Sequence, residues 1–202
     1  MTRSTTLPAL LACAAAAVLA GCEGSMPPAA ARCNVVRPAL RFALDVPAGW
    51  TVRDLGGDVV LECLAPAAQG GPAGAEAPAP EGSGGEGGSS GRRAFRAVIQ
   101  VTAIGRDGIT ALGDWADAAI REAGDVQSSL EVVSRADAKL ADGRAALLVV
   151  LEDRRGVEVM RQRMFLVMTD RFAYALVATG PERRLAALDA EITKCFDSLV
   201  VW

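Results

Sequence analysis

The chain contains no histidine. At neutral pH this removes the usual general base, the Ser–His and Cys–His nucleophile pairs, and most zinc and copper sites. Lysine is nearly missing as well: of 21 basic residues only Lys139 and Lys194 are lysines. Any catalysis would have to come from carboxylates, these two lysines or a bare thiol. Aromatic residues make up only 4% of the 202. A net charge of −3 offers no broad field that attracts nucleic acid or acidic lipid. No apolar run reaches the roughly 20 residues that a spanning helix needs. Together these shortages point away from an enzyme, a metal centre, a cofactor or a nucleic-acid partner.

What is present begins at the amino terminus. Met1 to Thr6 carry one positive charge, Arg3, and no acid, and Leu7 to Leu19 follow as an apolar run. This is the pattern of a secretory signal. Leu19-Ala20-Gly21-Cys22 resembles the bacterial lipobox. The resemblance implies a signal peptide over 1–21 and a Cys22 that becomes the first mature residue and carries the lipid. Several acyl chains, palmitate among them, would hold such a protein on a bilayer durably, whereas one chain is marginal. An ordinary secreted protein, with Cys22 free or paired, is the alternative. Glu23 stands where the family's inner-membrane sorting pattern has aspartate. The expected location is therefore the cell envelope: the outer membrane where the cell has one, otherwise the outer face of the plasma membrane.

Residues 22–32 read as the lipidated cysteine and a tether, and 33–202 as a single domain. Within it, residues 66–92 are Gly/Pro/Ala/Ser-rich and of low complexity, a composition that predicts disorder. Too few residues precede this tract to make a domain of their own, so it reads as a loop inserted between two strands. Two motif matches inside it, Gly82-x-Gly84-x-x-Gly87 and Gly87-x-Ser89-x-Gly91, lack the strand-and-helix context that nucleotide binding or a nucleophile elbow requires.

The remaining pattern is α+β. "LRFALDVPAGW", "DVVLECLA" and "AFRAVIQVTAIG" alternate as strands. "ITALGDWADAAIREAG" switches to helical spacing, with Gly124 as the predicted C′ stop. Strands resume at 130–138, 144–152, 157–168 and 171–178, and Pro181 opens a last helix carrying the stripe Leu185, Leu188, Ile192, Cys195, Phe196 and Leu199. Seven strands and two helices predict an antiparallel sheet flanked by helices.

"LRFALDVPAGWTV", the hairpin "LADGRAALLVV", the strand "RFAYALVAT" and the closing "FDSL" resemble the PsbP/DcrB-like α/β/α sandwich over about residues 40–199. The resemblance implies that fold, no shared catalytic residues, and an accessory role docked on a larger assembly.

Three cysteines remain for the folded domain. A Cys33–Cys63 bridge would pin the tether to the sheet; the alternative, Cys63–Cys195, would staple the last helix to it. Met160, Met164 and Met168 fall on one strand face, but residues four apart on a strand are roughly 13 Å apart, too far to share a metal. Asp114, Asp117 and Glu122 read as a solvated helix face. Arg154-Arg155, Arg161, Arg163 and Arg183-Arg184 are small basic clusters that an anionic partner or lipid headgroup could meet. Trp50, Trp115 and Trp202 read as packing residues. The expected function is a membrane-anchored, non-catalytic interaction module with an envelope protein as partner. A carrier of a small ligand or lipid is the alternative.

Overall fold

The computed structural model describes residues 25–67 and 96–202. Cys22, the leader and residues 68–92 of the low-complexity tract lie outside them, with both glycine motifs.

Strands of alternating polarity assemble a seven-stranded sheet, antiparallel throughout. Its order is β3 (Thr51–Asp54), β4 (Val59–Leu64), β5 (Val98–Gly105), β9 (Phe172–Pro181), β8 (Met160–Met168), β7 (Ala145–Asp153), β6 (Glu131–Lys139). A second, small sheet pairs β1 (Val35–Arg37), β2 (Phe42–Leu44) and β10 (Val200–Val201). Three α-helices, α1 (Leu112–Val126), α2 (Glu182–Ala187) and α3 (Asp189–Asp197), and two 3-10 turns, Ala30–Arg32 and Pro38–Leu40, complete the described chain.

The alternation sorts side chains into two cores, one on each face of the large sheet. Along β8, Phe165 and Val167 join the core beneath α2, α3 and the small sheet, while Met164 and Leu166 join the core beneath α1. The first core holds Phe42, Leu44, Ile99, Tyr174, Ile192 and Phe196; the second holds Trp115, Ala119, Val149 and Leu151. Burying each large apolar side chain stabilises by about 1.5–3 kcal/mol, so both faces contribute heavily. Tyr174 links the layers. Its hydroxyl donates to the carbonyl of Leu40 (2.8 Å), and its own carbonyl accepts Trp115 Nε1 (3.1 Å). Met160 and Met168 lie half-buried beside the fully packed Met164 and Leu166, so the methionine face is a packing face.

The structure corrects the sequence reading at five places. The strand at Phe42 belongs to the small sheet, not the large one. Strands β1, β3 and β10 escape a pattern search because they span only two to four residues. Gly124 does not stop the first helix, which continues to Val126 and closes with Gln127 N–H on the Ala123 carbonyl. The final helix breaks at Leu188 into α2 and α3, yet its whole apolar stripe remains buried. A register shift between Val59 and Leu61 turns Val59 away from the Leu61–Cys63 face that simple alternation assigns to it.

Candidate functional site

The thiols are the first candidates. Cys22 lies outside the described residues. Cys63 on β4 and Cys195 on α3 are buried, and Cys33, just before β1, is half-buried. All three are free: neither the Cys33–Cys63 bridge nor the Cys63–Cys195 alternative is formed. Burial pushes both buried thiols up to about 12, and Cys195 is raised further by Cys63, its neighbour in the core. Cys33 is raised as well, by burial and then by Asp45. Thiols so shifted stay protonated at neutral pH and are poor nucleophiles.

The arginines of β8 turn out to be structural. Arg161 bridges Glu152 and Glu182, the latter at 2.7 Å, and so ties β7 and the start of α2 to β8. Arg154 adds a second pair to Glu152 at 2.7 Å. Glu152 is only 3% exposed, and hydrogen bonds from Arg161 first and Arg154 second hold its carboxyl below the usual range. Arg163 pairs with Asp189, donates to Thr193 and lies 5.9 Å from the Phe196 ring centroid. Arg184 donates to the Pro66 carbonyl. Arg161 and Arg163 thus tie α2 and α3 to the sheet, while Arg154 pairs within its own hairpin.

Two of the α1 carboxylates, Asp114 and Asp117, are occupied too, while Glu122 lines the groove beside the helix. Thr110 donates to Asp114 at 2.8 Å, and Arg135 of β6 donates to Asp117 at 2.6 Å. Asp153 organises the hairpin after β7. The Arg155 backbone N–H, Ser129 and Gln127 all donate to it and lower its pKa. Trp50 donates to Glu191 of α3 (2.9 Å), Trp115 fills the core beneath α1, and Trp202 stands half-buried at one end of the sheet.

A groove that the sequence did not reveal runs beside α1. The helix packs on β7 and β8 and reaches β9 through Trp115. On this face α1 leaves Val59 of β4 and Gln100 and Thr102 of β5 facing the groove, while Ile104 of β5 packs against the α1 core. The groove, about 220 Å³, has a floor of Val59, Gln100 and Val177, and the α1 residues Ala119, Glu122 and Val126 form its wall. Val126 is 86% exposed. Strand register extends the floor as a cross-sheet row, Arg53–Glu62–Gln100–Val177. This surface mixes apolar and uncharged polar groups with a rim of charge, and it brings together no nucleophile–base pair. The bulge in β4 creates it by placing Val59 on the floor, and period-two reading cannot see a bulge.

No protein-family model matches the chain, and no curated protein is detectably similar to it. Solved structures are similar in fold. Cyanobacterial PsbP (CyanoP) from Synechocystis sp. PCC 6803 superposes with a TM-score of 0.54 at 11% identity, covering 82% of this chain and 89% of that one. A protein of unknown function from Pseudomonas aeruginosa gives 0.47 at 15% identity, covering 55% and 76%. A Bacteroides thetaiotaomicron structure gives 0.40 at 12% identity, covering 80% and 45%. The chain thus has a PsbP-like α+β fold, an antiparallel sheet with helices on both faces.

Proposed function

We propose that this protein is a cell-envelope lipoprotein, anchored through Cys22, whose single domain over residues 33–202 is a non-catalytic docking module for another envelope protein. The observation that carries the docking reading is the groove beside α1, continuous with the half-open face of β4 and β5. Apolar groups there, Val59, Val126 and Val177, alternate with Gln100, Thr102 and Gln162. Such a mixture suits a protein partner, because non-obligate interfaces are about as apolar as ordinary surface. The carrier alternative has less support at this groove. The space between α1 and the sheet is about 220 Å³, below the roughly 300–1,000 Å³ of typical ligand pockets. The lipid anchor rests on the Leu19–Cys22 motif and its leader alone. Among the described residues, no helix is long and apolar enough to cross a membrane.

A photo-crosslinking residue placed at Gln100 in intact cells tests the docking reading. The expected result is one dominant protein adduct, lost when Val126 is changed to Asp. Absence of any protein adduct, with lipid co-purifying instead, would overturn it in favour of the carrier. The anchor has its own test: a Cys22→Ala variant should leave the membrane fraction, and its retention there would refute the anchor.

A further inference from the structure

At the other end of α1 the loops after β5, β6 and β8 surround a second cavity of about 470 Å³. Two guanidinium groups line it, and neither is neutralised in the way the β8 arginines are. Arg106 donates only to main-chain carbonyls, those of Ile109 (3.1 Å), Thr169 (3.1 Å) and Thr110 (3.0 Å). It is therefore held rigidly, with its full charge facing neutral partners. Arg144 ends the tight turn between β6 and β7, where Gly143 has φ +86° and the Leu140 N–H bonds the Arg144 carbonyl at 2.9 Å. Its Nη2 meets Asp142 only at 3.6 Å, and its Nη1 is buried with no hydrogen-bond partner among the described residues. A buried donor left without an acceptor is unfavourable. The Arg144 side chain lines the cavity, is 33% exposed and has only the long Asp142 contact, so part of its donor capacity is unused.

Part of the lining is apolar. Leu112, Met168 and Trp202 form it, and the Trp202 N–H on the Arg41 carbonyl (3.1 Å) fixes the tryptophan backbone. One carboxylate, the exposed Asp170, also lines the cavity and opposes any anion. With Asp142 beside Arg144, the two arginines are matched by two carboxylates, so the unfilled guanidinium N–H donors rather than an excess of charge favour an anion here.

We propose that this cavity binds a small organic phosphate. Its anionic oxygens would be taken by Arg144 and Arg106 from two directions, and its apolar portion would lie against Leu112, Met168 and Trp202. A phosphate carries more charge than a carboxylate and presents three oxygens in a tetrahedral array, so it can accept from two guanidinium groups and keep an oxygen for a further donor. The depression is open to solvent, so it suits a small occupant that keeps part of its surface in water. The site is independent of the groove and of the docking reading.

Titration of the full chain with phenyl phosphate, inorganic phosphate and phenylacetate, followed by tryptophan fluorescence and calorimetry, tests the proposal. Phenyl phosphate should bind several-fold more tightly than inorganic phosphate, because it alone uses the apolar wall, and more tightly than phenylacetate. Arg144→Gln should weaken binding on the order of tenfold or more. Asp170→Asn, at an exposed turn position, should strengthen it, an outcome that misfolding cannot mimic. Dioctanoyl phosphatidic acid below its micellar concentration separates two sources of the same chemistry. Competition with phenyl phosphate identifies a lipid headgroup, and lack of competition identifies a free organic phosphate. Failure of phenyl phosphate to bind at millimolar concentration, or unchanged binding in both variants, would overturn the site.

Discussion

Glu152 sits buried between two guanidinium groups, and its replacement tests what the internal ion pairs contribute. Glu152→Gln keeps the shape and removes the charge, leaving Arg161 with Glu182 and Arg154 with no carboxylate partner in this network. The expected loss is about 1–3 kcal/mol at pH 7, less than for a fully enclosed pair because Arg154 is 67% exposed. The sign with pH follows from the depressed carboxyl. Its contribution is fully present above the unfolded carboxylate value of about 4.3 and is lost as pH falls through the lower folded value. The stability gap between wild type and variant, measured by denaturant titration, should therefore be constant near neutrality and close only in strong acid. A gap that closed between pH 7 and 5 would show that another group is responsible. The thiols give a second residue-scale test. Alkylation of the folded protein followed by mass spectrometry should modify Cys33 alone among the domain's three thiols, faster at alkaline pH, because its thiol is raised and only half-buried. Denaturation without reductant should then expose Cys63 and Cys195 as two further free thiols. Their failure to react after denaturation would reveal the Cys63–Cys195 bridge.

Among the elements, those with long and regular apolar periods were legible from sequence: β5, β7, β8, β9, α1 and the buried stripe of α2 and α3. The pattern failed where a local event overrides periodicity. The bulge in β4 moves Val59 to the opposite face; Leu188 divides one apparent helix without disturbing its stripe; β1 and β10 are too short to alternate. The groove beside α1 depends on that bulge and on which strands the helix leaves bare. The phosphate cavity depends on three loops far apart in sequence. Neither arrangement is written in any one segment. Gly124 shows the difference in measurable form. As a C′ stop it would need a left-handed backbone, and alanine there would destabilise. The structure instead places it inside α1, outside the positive-φ glycines, with nothing within 4 Å of an added Cβ. Gly124→Ala should thus stabilise the protein by about 0.5–1 kcal/mol. Gly180→Ala is the contrast. Its Cβ would stand 3.2 Å from the Cα of Ala97, just before β5, where backbone must give way, and a loss of about 1–3 kcal/mol is expected. Thermal melts of the two variants should move in opposite directions; a destabilised Gly124→Ala would restore the helix-stop reading.

For the molecule as a whole, both cores hang on one sheet, and β9 serves both through alternate residues. Tyr174 and Leu176 face the α2–α3 side, while Ala173 and Ala175 face α1. Two layers sharing a strand in this way should unfold together rather than in turn. The same geometry bears on the segment between β4 and β5. Those strands are hydrogen-bonded neighbours, with Leu64 opposite Val98 and the Ala65 N–H on the Ala97 carbonyl at 3.0 Å. The chain on either side of residues 68–95 is therefore already stitched into one sheet. Replacing 68–95 by a Gly-Ser link of about four residues should leave the fold intact. If the segment has the freedom its composition predicts, the shorter closure should stabilise the domain by about 1–2 kcal/mol, since closure entropy scales with the logarithm of loop length. Near- and far-ultraviolet circular dichroism should then report one coincident transition at a higher midpoint. Two separated transitions, or loss of folding, would mean that the parts before and after the segment are distinct units joined by a linker. A single coincident transition would place β1 to β4 and the α1 groove in one cooperative unit.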